Sequence, residues 1–176
     1  MLAILGTLAA ASITTWLITP GCKRLAVRIG LVDTPGIRKQ HSKQIPYLGG
    51  VAVMLGILAG IAVMALLSAN GYLPAAAELN AQQVAMLGGC AAMFCLGLRD
   101  DVRPLQAGRK LIAQTLVAAA MWAAGIYIDT IPITETVTLE LGLWSIPVTI
   151  LWIVGATNAV NMIDGLDGLA AGVGAI

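Results

Sequence analysis

Charge is what this sequence has least of. Ten Lys and Arg and nine Asp and Glu make up 11% of 176 residues, against about 25% in a typical soluble protein. A soluble globule of this length has far more surface than so few charges can cover, so a water-soluble monomer is excluded. Disorder is excluded as well, because it requires low hydrophobicity and high charge, and 59% of this chain is hydrophobic. Aromatic residues are sparse at 5% and the net charge is +1, which gives no footing to a basic nucleic-acid-binding domain. The three cysteines, Cys22, Cys90 and Cys95, have neither CxxC nor zinc-ligand spacing. They read as small apolar residues or free thiols. What remains is a chain whose solvent is mostly lipid.

Charge-free stretches then set the organisation. Residues 1–19, 44–77, 79–98, 111–128 and 141–163 carry no Lys, Arg, Asp or Glu. A membrane-spanning helix needs about 20 largely apolar residues. The expected fold is therefore an all-α polytopic membrane bundle. Its five spans lie near 2–19, 48–68, 82–98, 111–128 and 144–163, and the fourth is short. A sixth apolar stretch begins at Leu169 and reaches Ile176; eight helical residues rise about 12 Å, too little to cross a core of about 30 Å. Residues 1–176 are thus expected to form one membrane domain, the N-terminal part of a longer protein. The first stretch lacks a basic leader and is followed at once by Lys23, Arg24 and Arg28, which suits a retained helix better than a signal peptide.

All ten basic residues fall in two segments. Lys23, Arg24, Arg28, Arg38, Lys39 and Lys43 separate spans one and two; Arg99, Arg103, Arg109 and Lys110 separate spans three and four. Segments 69–81 and 129–143 have none. The positive-inside rule places the basic segments in the cytoplasm and the N-terminus outside. Glu78, Asp129, Glu135 and Glu140 are then external. Asp33, Asp100, Asp101, Asp164 and Asp167 are internal.

Three polar clusters lie on that inner side. The first runs from Asp33 to Gly50, with Pro35, Gly36 and Pro46 favouring a structured turn over a helix. Arg38, Lys39 and His41 suit phosphate binding, since Arg offers a fork of donors and Lys a point charge. A topology-setting loop attracted to anionic lipid explains the charges equally well, and a lone histidine is more often a surface group than a catalyst. The second cluster is Arg99-Asp100-Asp101-Val102-Arg103. Adjacent carboxylates at an interface repel, so the pair either recruits a divalent cation or keeps one member available as a base. Solvated acids balanced by Arg99 and Arg103 are the alternative. The third cluster holds Asn158, Asn161, Asp164 and Asp167, spaced three apart. On a straight helix this spacing drifts around the axis. Gly165 and Gly168 allow the helix to end near Asp164 and the four groups to converge. Capping and interhelical hydrogen bonds need fewer such groups, and ionisable residues at membrane depth point to function.

Acids and bases at one membrane face suit a polyanionic substrate with a metal ion. Mg²⁺ held by Asp and Asn oxygens would neutralise diphosphate, leaving Lys and Arg to orient it.

Taken together, Asp33-x-Pro35-x-x-Arg38-Lys39-x-His41-x-x-x-Ile45-Pro46-x-x-Gly49-Gly50, Asp100-Asp101 and Asn158-x-x-Asn161-x-x-Asp164-Gly165-x-Asp167-Gly168-Leu169 resemble the polyprenyl-phosphate N-acetylhexosamine-1-phosphate transferases. The likeness is to the WecA/TagO-type branch more than to the MraY relatives, and to about the first half of such an enzyme. The resemblance implies transfer of N-acetylhexosamine-1-phosphate from a UDP-sugar to undecaprenyl phosphate, releasing UMP. This is the first membrane step of cell-envelope polysaccharide synthesis, at the cytoplasmic face of the bacterial inner membrane. It implies Mg²⁺, with Mn²⁺ as a substitute. The implied partners are UDP-N-acetylhexosamine, undecaprenyl phosphate, membrane lipid and, in a homodimer, a second copy of the chain; nucleic acid is not among them. Asp100, Asp101 and Asp164 are the implied catalytic residues. Asn161, Asp100 and Asp101 are the implied metal ligands. Asp167, Asn158, Arg38, Lys39 and His41 are the implied substrate contacts, with Asp167 at the uridine. A later aspartate and a histidine-rich motif of the family do not occur within these residues.

Three other readings compete, of which a plain helical membrane scaffold leaves the aspartate clusters unexplained. CDP-alcohol phosphatidyltransferases need Ala-Arg where Gly168-Leu169 stands. Half of a transporter, with Asn158, Asn161, Asp164 and Asp167 lining an ion path, calls for polar groups at mid-membrane and a related repeat, and the sequence has no internal repeat.

Overall fold

The computed structural model describes residues 2–33, 45–72, 80–135 and 137–163. They fall into two compact units: residues 1–79 with 97–104, and residues 80–96 with 105–176.

In the first unit α1 runs over Leu2–Arg28 and α2 over Gly49–Ala69. α1 is longer than the span expected at 2–19. Lys23, Arg24 and Arg28 therefore lie on the same helix as the apolar stretch and not in a connecting loop. The helix continues past Pro20, whose missing N–H leaves the Trp16 carbonyl without its helical partner. It stops only at Gly30, where φ is +75°. Leu31 N–H reaches back to Ala26 C=O at 2.8 Å and Gly30 N–H to Val27 C=O at 3.3 Å. This reciprocal pattern closes a helix on a left-handed residue, a place that glycine fills without a Cβ penalty. Next come β1 (Val32–Asp33) and β2 (Ile45–Pro46), paired antiparallel with Val32 opposite Pro46 and Asp33 opposite Ile45. Tyr47 N–H extends the ladder to Leu31 C=O at 3.0 Å.

α1 and α2 pack through small residues. Ala52, Gly56 and Gly60 recur every four positions on α2 and are all buried. A Cβ at Gly56 would run into the Thr15 hydroxyl and lie 2.7 Å from the Ala11 carbonyl oxygen. One at Gly60 would lie 3.2 Å from Thr7 C=O and 3.3 Å from Ala11 Cβ. Close backbone approach through such a stripe is the normal packing of helices in lipid. The threonines on the facing side direct their hydroxyls to their own helix: Thr7 to Ile4 C=O at 2.9 Å, Thr15 to Ala11 C=O at 2.8 Å. No polar hydrogen is thereby offered to hydrocarbon.

Helix α3 (Ala81–Val102) contributes residues to both units. It opens with a reciprocal cap: Gln83 N–H donates to Asn80 Oδ1 at 2.8 Å and Asn80 N–H to Gln83 Oε1 at 3.0 Å. The second unit adds α4 (Ala107–Ala123), strands β3 (Thr130–Pro132) and β4 (Thr138–Glu140), a short 3-10 turn at Gly142–Trp144, and α5 (Ser145–Ile163). β3 and β4 form an antiparallel hairpin with Ile131 opposite Leu139. It occupies a segment expected to be plain loop.

Among the described residues four helices are long and apolar enough to cross a membrane: Ala3–Arg28, Gly49–Ala69, Ala81–Val102 and Gly142–Ile163. The fourth expected span, 111–128, is the exception. α4 has 17 residues, a rise of about 25 Å, and it starts earlier and stops sooner than expected. Gly125, with φ of +89°, ends it, as Ile126 N–H bonds Met121 C=O and Gly125 N–H bonds Trp122 C=O, each at 3.0 Å. Residues 126–128 continue apolar but leave the helix. The start of a sixth helix at Leu169 lies outside the described residues.

Burial runs inside out. Among the described residues the buried hydrophobic ones are Ala26, Ala52, Ala118 and Val154. Trp16, Leu116, Leu151 and Trp152 are each at least 65% exposed. Water would not tolerate so extensive an apolar surface; a bilayer supplies the matching solvent. The chain is a helical membrane protein.

Candidate functional site

In the second unit α4 and α5 are joined by polar contacts at successive levels. Near one end Trp122 Nε1 donates to Ser145 Oγ at 3.2 Å, and Ile128 N–H donates to Thr149 Oγ1 at 2.9 Å. Ala118 and Val154 are the buried apolar residues of these two helices. Towards the start of α4 and the end of α5, Asn158 Nδ2 donates to Gln114 Oε1 at 2.8 Å. One turn further Lys110 Nζ stands 3.5 Å from Asn161 Oδ1, a long contact at the limit of a hydrogen bond. The spacing explains the set. Lys110, Gln114 and Ala118 are four apart and share a face of α4; Asn161, Asn158 and Val154, three and four apart, share a face of α5. Gln114 is 2% exposed, and a buried carboxamide is stable only when bonded.

The structure thus brings two of the expected site residues, Asn158 and Asn161, onto a common polar patch with Lys110 and Gln114. Those two partners were missed. Lys110 enters the sequence reading only as a topology charge, and Gln114 does not enter it. The available signal was the Lys110-x-x-x-Gln114 pair at helical spacing.

Asp100 and Asp101 sit in the first unit, in the last turn of α3; Asp100 is half-buried and Asp101 exposed. Beside them Arg99 Nη1 donates to the Arg103 carbonyl at 2.7 Å, tying off the helix end. Carboxylates at a helix C-terminus face the negative end of the dipole, and cations in a first turn, such as Arg109 and Lys110 on α4, face the positive end. Both placements work against the helices that carry them. Among the described residues no group of three His, Cys, Asp or Glu is placed to hold a metal ion. Asp164, Asp167, Arg38, Lys39 and His41 lie outside the described residues. For the last three, the β1–β2 ladder fixes only the ends of their segment.

Polar side chains thus lie at the end of α3 and, separately, between α4 and α5 of a helical membrane protein. The family follows from comparison. Residues 83–176 match the model of glycosyl transferase family 4, and the chain belongs to that family. The matched stretch contains Asp100, Asp101, Lys110, Gln114, Asn158, Asn161, Asp164 and Asp167. The chain is 40% identical over 93% of its length to a Bacillus subtilis protein named a probable undecaprenyl-phosphate N-acetylglucosaminyl 1-phosphate transferase. It is 34% identical over 94% of its length to a Mycobacterium tuberculosis decaprenyl-phosphate N-acetylglucosaminephosphotransferase. It is 31% identical over 88% of its length to a Yersinia pestis undecaprenyl-phosphate alpha-N-acetylglucosaminyl 1-phosphate transferase. The aligned part covers 43%, 41% and 40% of those three relatives. No solved structure matches the chain.

Proposed function

We propose that this chain is the N-terminal part of an enzyme that transfers N-acetylhexosamine-1-phosphate from a UDP-sugar to undecaprenyl phosphate. The observation that carries the reading is the α4–α5 patch. Lys110, Gln114, Asn158 and Asn161 gather just before the Asp164-Gly165-x-Asp167 motif, in a chain whose relatives are named for this reaction. A phosphate oxygen of the lipid forms a bond to the sugar-bearing phosphorus, the diphosphate bridge breaks, and UMP leaves. Lys110, with Arg38 and Lys39, offsets phosphate charge. Asp100 or Asp101 holds the attacking phosphate or takes its proton, and Asp164 supports the diphosphate. Asp167 receives the uracil N–H, and Asn158 and His41 contact the nucleotide sugar.

The oxygen-only donors Asp100, Asp101 and Asn161 fit a hard divalent cation in chemistry. Mg²⁺ held by them, or Mn²⁺ in its place, would supply charge neutralisation at the diphosphate. The active face is the cytoplasmic side of the bacterial inner membrane, with the N-terminus outside and the product feeding envelope polysaccharide synthesis. The enzyme works alone or as a homodimer.

The test is UMP release by the full-length enzyme from UDP-N-acetylglucosamine and undecaprenyl phosphate. Asp100→Asn and Asp101→Asn keep shape but lose charge, so each should reduce the rate by orders of magnitude in a folded protein. A loss under tenfold for both, about 1.4 kcal/mol, would return the pair to solvated helix-end acids.

A further inference from the structure

The orientation of the paired carboxamides, Gln114 buried and Asn158 half-buried, follows from a single backbone group. Asn158 lies 2.8 Å from the Val154 carbonyl, which only accepts hydrogen bonds. The atom facing it must therefore be Asn158 Nδ2. That same nitrogen lies 2.8 Å from the Gln114 side chain, so Gln114 must turn its oxygen inwards. Both amide protons of Asn158 are then committed. Two groups are left over, Asn158 Oδ1 and Gln114 Nε2. Neither carries a hydrogen bond among the described residues, yet no buried side-chain polar atom lacks a partner. Both atoms therefore keep some accessible surface, little for Gln114, which is 2% exposed, and more for half-buried Asn158.

We propose that Gln114 is the positioning residue for Asn158. It fixes the carboxamide so that Asn158 meets the nucleotide sugar as a hydrogen-bond acceptor, and the UDP-sugar supplies the donor, an O–H or N–H. The proposal rests on the transferase reading and sharpens it, because the polarity of the contact is stated. The Val154 carbonyl takes one amide proton of Asn158 and Gln114 takes the other, so the donor end is occupied twice. Without Gln114 the second amide proton has no fixed acceptor, and the Val154 carbonyl alone holds the side chain.

The test uses the full-length enzyme and the variants Gln114→Leu, Asn158→Leu and the double variant. KM for UDP-N-acetylglucosamine and kcat are read at saturating Mg²⁺, with a separate Mg²⁺ activation curve. Loss of one such hydrogen bond is worth about fivefold. Gln114→Leu should raise KM by about that factor with little change in kcat and none in the metal curve. The double variant should be no worse than Asn158→Leu, because Gln114 acts only through Asn158; a purely structural role would make the two effects add. Gln114→Glu keeps a carbonyl acceptor when protonated and should recover most of the loss. If Gln114→Leu does not fold in a thermal scan, Gln114→Met takes its place. An unchanged KM, additive effects, or a shift of the Mg²⁺ curve in place of KM would each overturn the assignment. An unmodified enzyme that releases no UMP would instead defeat the transferase reading beneath it.

Discussion

Replacing Gly56 by Ala tests whether α1 and α2 are held by backbone approach. The added Cβ would meet the Thr15 hydroxyl and come within 2.7 Å of the Ala11 carbonyl oxygen. The carbonyl belongs to a helix backbone and cannot swing away. Overpacking of this kind costs about 1–3 kcal/mol. Ala for Gly in a helix interior returns about 0.8–1 kcal/mol, so the net loss is at most about 2 kcal/mol. Two further glycines calibrate the estimate. At Gly60 the contacts are 3.2 and 3.3 Å, a shift of tenths of an ångström suffices, and Gly60→Ala should be close to neutral. At Gly88 nothing lies within 4 Å, so Gly88→Ala should gain about 0.5–1 kcal/mol from propensity alone. Thermal unfolding of the full-length protein in one detergent ranks the three variants. Thr15→Ala should rescue Gly56→Ala only in part, because the Ala11 carbonyl stays. If Gly56→Ala proved as stable as Gly88→Ala, the close α1–α2 approach would be refuted.

Reporters fused after Lys43 or Arg109 should read cytoplasmic, and those near Glu78 or Glu135 external; an external signal at Arg109 would break the topology. Within the third cluster, Asn161→Ala and Asp164→Asn should shift the Mg²⁺ activation curve of UMP release to higher concentration. Asp167→Asn should instead weaken UDP-sugar affinity by about 1–3 kcal/mol, and a metal shift without an affinity change would reverse that assignment.

The helices were legible because charge bounds them. α2, α3 and α5 lie within a few residues of the charge-free runs that predicted them. The end of α4 was not, because hydropathy does not distinguish helix from extended chain, and Ile126, Tyr127 and Ile128 are as apolar as the helix they follow. Gly125 carried the stop signal. The β3–β4 hairpin had a signal of its own in the β-branched run Thr130-Ile131-Pro132-Ile133-Thr134, which a search for spans passes over. Asn158 and Asn161 stood out by spacing. Gln114 did not, because its partner lies 44 residues away and only the antiparallel α4–α5 register brings the two together.

The small β1–β2 ladder has a thermodynamic consequence for the segment it encloses. By joining Val32 to Pro46 and Asp33 to Ile45, it sets the end-to-end distance of residues 34–44 before any ligand arrives. Closing a flexible loop of about eleven residues costs (3/2)RT ln n, about 2 kcal/mol, beyond a constant. That entropy is surrendered when the protein folds. Whatever binds that segment then meets a chain whose ends are already joined, and its binding does not bear the closure cost. Cutting the ladder, for example with Ile45→Pro, should therefore weaken the phosphate binding proposed for Arg38, Lys39 and His41, although none of those three residues has changed.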